Sequence, residues 1–155
     1  MLRTLRRHDV RFIVVGGVAA WMSGAMVATI DLDIVHERSS ANVARLLEAL
    51  SEMSALHRDP AGRKIAPAAD RLQGPGHNLL ATSYGPLDAL GVIGANREYS
   101  FLLPKSRTVV VEPGVDVRIL DLETQIEIKE ETGRAKDRAM IPLLREALRQ
   151  RDKPS

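Results

Sequence analysis

Cysteine is absent from this 155-residue chain. That excludes a disulfide framework, a thiolate zinc centre and a cysteine nucleophile, and it fits a reducing compartment, so a cytoplasmic location is expected. Aromatic residues are nearly as scarce, one Trp, two Tyr and two Phe making up 3% of the sequence. A core built from this composition must rest on Val, Leu, Ile and Ala. Charge of one sign is also missing, because 22 Lys and Arg stand against 20 Asp and Glu for a net +2. Such a balance does not by itself predict nucleic-acid binding, which must be argued from local clusters. One run, Phe12 to Ile30, is uncharged and long enough to span a bilayer. The pairs Gly16-Gly17 and Ser23-Gly24 break it, which predicts strand, turn, helix and strand rather than a membrane span. Arg3, Arg6 and Arg7 ahead of Phe12 to Met22 outline a secretory signal, but Asp9 and Arg11 set charges of both signs against the apolar segment.

The length and the ordinary apolar content predict one α+β domain over residues 1–155, with a mixed sheet over about 10–120 and C-terminal helices over about 121–150. The expected elements are a basic helix over Leu2–His8, a buried strand over Arg11–Val15, a short helix over Val18–Met22 and a strand over Ala28–Val35. Ser39 or Ser40 caps a helix through Leu50. Leu56 to Gly76 reads as a surface loop or short hairpin. Short strands are expected at Asn78–Thr82, Leu87–Ile93, Thr108–Glu112 and Val115–Leu120, the last two joined at Glu112-Pro113-Gly114. Asp121 caps a helix to Gly133, and a final helical segment, Ala135–Arg149, is interrupted by Pro142 before a frayed Arg151–Ser155.

Asp31-Leu32-Asp33 stands out in this pattern. Side chains alternate along a strand, so Ile30, Leu32 and Ile34 share one side while Asp31 and Asp33 share the other, roughly 7 Å apart at Cα. That pair is either the outward face of a half-exposed strand or a pair of ligands for one divalent cation. Upstream, Gly16-Gly17 sits between a strand and a helix, where glycine lets the backbone approach a phosphate closely. Polyphosphate chemistry with two divalent ions is served by a further carboxylate. Asp88, a lone acid in Gly85-Pro86-Leu87-Asp88-Ala89-Leu90, is the best candidate, since Asp70, Asp116 and Asp121 lie beside ordinary loops or hairpins.

Val14-Val15-Gly16-Gly17-Val18-Ala19-Ala20, followed by Thr29-Ile30-Asp31-Leu32-Asp33-Ile34, resembles the nucleotidyltransferase superfamily of the polymerase-beta type, in particular minimal bacterial members related to toxin-type nucleotidyltransferases. The resemblance extends to Gly85-Pro86-Leu87-Asp88 and to the tail Lys129 to Asp137. It implies a nucleotidyltransferase-type mixed sheet and transfer of a nucleoside monophosphate from a nucleoside triphosphate to a hydroxyl on RNA (such as a tRNA end), on a protein or on a small molecule. The roles implied are phosphate binding for Gly16 and Gly17, and Mg2+ or Mn2+ binding and catalysis for Asp31, Asp33 and Asp88. Lys129 would bind the triphosphate as a point charge, as a helical lysine does in the toxin-type relatives. An antitoxin partner is a further implication, and no membrane partner is expected.

Two departures accompany it. The family's turn is often Gly-Ser, where this chain has Gly17, and the loop before the acids, Met26-Val27-Ala28, lacks the basic residue related chains tend to place there. These features suit a second reading, a weak or inactive nucleotidyltransferase fold kept as a binding protein. A third, a haloacid-dehalogenase-type phosphatase with Asp31 as nucleophile, expects its motif on the opening strand and a late acidic pair. Arg134, Lys136 and Arg138, and also Arg58, Arg63 and Lys64, form basic clusters suited to acceptor phosphates, without interleaved aromatics. His8, His36, His57 and His77 show no metal-ligand spacing.

Overall fold

The structure, a computed structural model, describes residues 1–153. Among these, strands β1 (Phe12–Val15), β2 (Leu32–His36), β3 (Leu56–His57), β4 (His77–Thr82), β5 (Gly85–Leu90), β6 (Ser106–Glu112) and β7 (Val115–Leu120) form one sheet in the order β3-β4-β5-β2-β1-β7-β6. It is mixed: β1/β7 and β2/β5 are parallel pairs, and the other neighbours are antiparallel. The protein is thus α+β, with helices α1 (Leu2–Arg7), α2 (Gly16–Met22), α3 (Ser40–Glu52), α4 (Ala69–Gln73), α5 (Tyr99–Leu102), α6 (Leu122–Thr132) and α7 (Ala135–Arg151) packed around the sheet.

Alternation in the central strands assigns the two faces. Val14, Leu32, Ile34, Leu87 and Ala89 join Leu5 of α1, Leu46 and Leu50 of α3 and Leu72 of α4 in one core. Ile13, Val15, Val35 and Leu90 point the other way, onto Leu102 of α5 and Ile128 of α6. A third cluster, Ala20, Leu122, Ile126, Ile141 and Leu144, fastens α6 and α7 to α2. All four β1 residues are buried because helices cover both faces there.

Local chemistry accounts for the helix ends. The Ser39 hydroxyl accepts from the Asn42 amide at 3.3 Å, and the Asp121 carboxylate accepts from Thr124 at 2.7 Å, each opening a helix. Gly133 closes α6 in the left-handed region, φ +61°.

Several expected boundaries move. β2 begins at Leu32, not Ala28, although Thr29 and Ile30 are β-branched. A strand needs partners, and here they run out: β1 ends at Val15 opposite Asp33, and β5 first pairs at Leu87 opposite Leu32. The segment before Asp31 is therefore irregular, leaving Met26 and Ile30 almost fully exposed. α2 starts at Gly16 itself, so the glycine pair is the first turn of the helix and not a separate loop. Pro142 does not interrupt α7, because it lies on the exposed side, where the carbonyl it leaves unbonded faces water. The same helix stays regular to Arg151, and Pro154 and Ser155 of the expected frayed end lie outside the described residues. The β5 strand stops at Leu90 instead of Ile93, since Gly91 passes against Pro75 and Gly74, where no side chain fits. No described helix is long and apolar enough to cross a membrane.

Candidate active site

One row across the sheet sets the site. Val15 of β1 pairs with Asp33 of β2, Asp33 with Asp88 of β5, and Asp88 with Leu79 of β4. Arg58, just past β3, continues the row by donating its amide to the Leu79 carbonyl at 2.9 Å. Register partners put their side chains on the same face. Asp33 and Asp88 therefore stand side by side above the sheet, on the face that carries α6, with Asp31 at the near end of β2.

Their electrostatics follow from this crowding. Burial, then repulsion from Asp88 and Asp31, pushes the Asp33 carboxyl up to about 6 from an ordinary 3.8. Burial likewise raises Asp88, against the opposing pull of Arg58. The Arg58 guanidinium forms an ion pair with Asp88 and lies 3.7 Å from Asp31, so it supplies positive charge to two of the three acids. Among the described residues no group of three or more Asp, Glu or His side chains is gathered closely enough to hold a metal ion, and two of the acids are instead served by the Arg58 guanidinium.

Gly16 and Gly17 lie against these groups. Gly16 has φ +64°, and a Cβ on it would sit 2.4 Å from the Asp33 carboxylate. A Cβ on Gly17 would come within 2.7 Å of the Thr29 side chain, whose hydroxyl reaches the Asp31 carbonyl at 3.2 Å. Both glycines thus have a steric requirement of their own, apart from any phosphate. The serine of the Gly-Ser turn has no room at position 17 while Thr29 holds its place.

The opposite wall comes from α6 and α7. Asp137, almost fully buried, accepts from Lys129 at 3.1 Å, Thr132 at 2.9 Å and Arg134 at 2.6 Å. Burial pushes its carboxyl up, but the bonds from Arg134, Lys129 and Thr132 outweigh that and hold it below the ordinary range. Lys129 is therefore tied to Asp137 rather than to the adjacent Glu130 or Glu131. Lys136 projects from the same helix start and draws the Asp33 carboxyl down, the sign expected of a cation facing it. Between the walls is a cavity of about 330 Å³, lined by Asp31, Asp33, Asp88, Gly16, Gly17 and Lys129 together with Thr29, Arg134, Lys136 and Asp137. That volume suits a small ligand.

The chain matches no protein-family model and no curated protein. The structure gathers all six residues singled out in the sequence around one cavity, Thr29 and Asp137 line it with them, and Arg58, read in the sequence only as part of a basic cluster, pairs with two of its acids from outside that lining. Arg58 reaches the acids only through the lateral pairing of β3, β4 and β5, which no local pattern encodes. Thr29 sits in a segment read as strand. Asp137 offered one sequence signal, an acid among the three basic residues Arg134, Lys136 and Arg138.

Proposed function

We propose that the protein is a metal-dependent nucleotidyltransferase. The observation that carries this reading is the polarity of one cavity: three crowded carboxylates on the sheet face Lys129, Arg134 and Lys136 on the helices. A metal-bound triphosphate has that polarity, its divalent ions turned to the acids and its remaining charge to the cations.

In this reading Asp31, Asp33 and Asp88 would hold Mg2+ or Mn2+, which would supply charge neutralisation to the phosphates. Lys136 and Arg134 hold the β- and γ-phosphates, while Asp137 fixes Lys129 beside them. The Gly16 backbone gives the phosphates access that a side chain would block. The acceptor hydroxyl oxygen bonds to the α-phosphorus, the bond from that phosphorus to the bridging oxygen breaks, and pyrophosphate leaves with the electron pair. The hydroxyl proton passes to the Asp88 carboxylate. The acceptor is a hydroxyl of RNA, protein or a small molecule, and an antitoxin partner belongs to the toxin-type version of this proposal.

The Arg58 pair with Asp88 favours a second reading, a binding module in which the guanidinium permanently replaces the metal. Nucleoside triphosphates labelled at the α- or the γ-phosphate separate the two. Transfer of α-label alone to an acceptor, dependent on Mg2+ and lost in Asp33→Asn, supports the transferase. Magnesium triphosphate bound by wild type without transfer of either label supports the binding module, and transfer of γ-label contradicts nucleotidyl chemistry.

A further inference from the structure

We infer that the end of the sheet remote from the acids carries a second ligand site, a pocket in which four arginines bind the dianionic phosphate group of a small molecule. It is independent of the transferase reading and shares no lining residue with the acid-lined cavity.

The pocket forms where β1 begins. That strand ends at Val15, opposite Asp33, whereas Arg11 precedes its first residue, Phe12. Around the start lies a cavity of about 440 Å³, lined by Arg6 of α1, Arg11, Arg45 of α3 and Arg118 of β7, and by the acids Asp9 and Asp116. Segments distant in sequence thus bring four guanidinium groups to one space. Like charges gathered in this way repel unless a group of opposite sign joins them.

The chain itself supplies too little of that opposite charge. Asp116 meets Arg6 only at 4.0 Å, and Arg11, Arg45 and Arg118 make no ion pair among the described residues. Arg118 donates instead to the Ser106 hydroxyl at 3.1 Å, and Arg45 reaches the Asn42 side-chain oxygen at 3.5 Å. Glu48, one turn on from Arg45, is turned to His8 at 3.7 Å. The Nε atoms of Arg6 and Arg45 are buried without any hydrogen-bond partner. A buried donor left unsatisfied costs free energy, which an anion in the pocket would relieve.

The scaffold fixes the pocket in advance of any ligand. Fully buried Asn42 accepts from the Arg11 amide at 2.7 Å and donates to the Arg11 and Glu37 carbonyls at 3.0 and 2.7 Å, so the backbone from which Arg11 projects is clamped.

Charge and shape name the ligand. Four positive charges against two negative leave the lining at +2, and a phosphate monoester carries close to two negative charges at neutral pH. Guanidinium forks hold phosphate oxygens through paired hydrogen bonds. The volume leaves room beside one phosphate for a small organic group, with half-buried Tyr99 on the wall.

Calorimetric titration of inorganic phosphate, glycerol phosphate and succinate, in chelator and at constant ionic strength, into wild type, Arg11→Gln, Arg45→Gln and Lys136→Gln tests the site. Melting curves establish that each variant folds, and the exposed Arg11 side chain keeps the test decisive should Arg45→Gln unfold. The expected result is phosphate binding by wild type, weakened about tenfold in Arg11→Gln and in Arg45→Gln and unchanged in Lys136→Gln. Tighter binding of glycerol phosphate names an organic phosphate as the ligand, and tighter binding of inorganic phosphate names the free ion; both support the site. The inference is overturned if wild type binds neither phosphate, if Arg11→Gln and Arg45→Gln bind as wild type does, or if only Lys136→Gln loses binding, which puts the anion in the acid-lined cavity. Succinate bound as tightly as phosphate also overturns it, because the pocket then reads charge alone. No nucleotide or divalent ion enters the measurement, so its outcome is separate from that of the transferase reading.

Discussion

Asp33 and Asp88 are direct register partners on the neighbouring parallel strands β2 and β5, two acids held side by side where a sheet interior calls for apolar groups. Their closeness costs stability in the metal-free protein. The Asp33 carboxyl titrates near 6 when folded against an ordinary 3.8, so between those values the folded state binds the proton more tightly than the unfolded one. Stability from this group therefore falls as pH rises through that window and is lowest above it. Asp33→Asn should stabilise the metal-free protein at pH 7 by about 1–2 kcal/mol, an advantage that narrows at pH 5. Thermal unfolding in chelator at both pH values checks this, and an Asn variant that melts no higher than wild type at pH 7 contradicts it.

Gly16 and Gly17 should respond unequally to alanine. At Gly16 the left-handed backbone and the Asp33 carboxylate both oppose a side chain, whereas at Gly17 the obstacle is Thr29 on an exposed loop that can shift. Gly16→Ala should lower transfer about tenfold or more by displacing Asp33, with Gly17→Ala milder. Steady-state rates for the two variants decide it, equal effects counting against this account of the turn.

Much of the scaffold could be read along the chain, because it depends on local signals. The hairpin at Pro113-Gly114, the Asp121 cap and the apolar stripe of α3 each sit within a few residues of their partners. The misread features depended on distant neighbours. Thr29 and Ile30 have strand propensity but no strand beside them, and the two-residue β3 exists because β4 accepts it. At the site, Asp31 and Asp33 were legible from alternation and Asp88 from being an acid in an apolar run. Arg58 was not, since its arrival follows from three strand pairings in succession.

Asp137 is the anchor of the cationic wall. Its carboxylate is almost fully buried and serves Lys129, Thr132 and Arg134 together. Asp137→Ala should destabilise the fold by about 2–4 kcal/mol, since Lys129 is left largely buried without a partner. Pairing it with Lys129→Met should recover part of that loss. Denaturant midpoints of the single and double variants check the coupling, and simple additivity would remove Asp137 from this role.

Arg58 competes with the metal for the same carboxylates. Arg58→Ala should tighten Mn2+ binding, about threefold to tenfold, because an ion no longer has to displace the guanidinium from Asp88. Titration followed by the paramagnetic signal of free Mn2+ measures it. Unchanged or weaker binding would mean that Arg58 does not occupy the metal's place.

The most direct test of the central claim is calorimetric titration of a nucleoside triphosphate analogue that cannot be cleaved between its α- and β-phosphates, with and without Mn2+, into wild type and Asp33→Asn. The account predicts binding by wild type only when Mn2+ is present, and a loss of about tenfold or more in Asp33→Asn. Absence of binding by wild type, or equal binding by both proteins irrespective of metal, would contradict it.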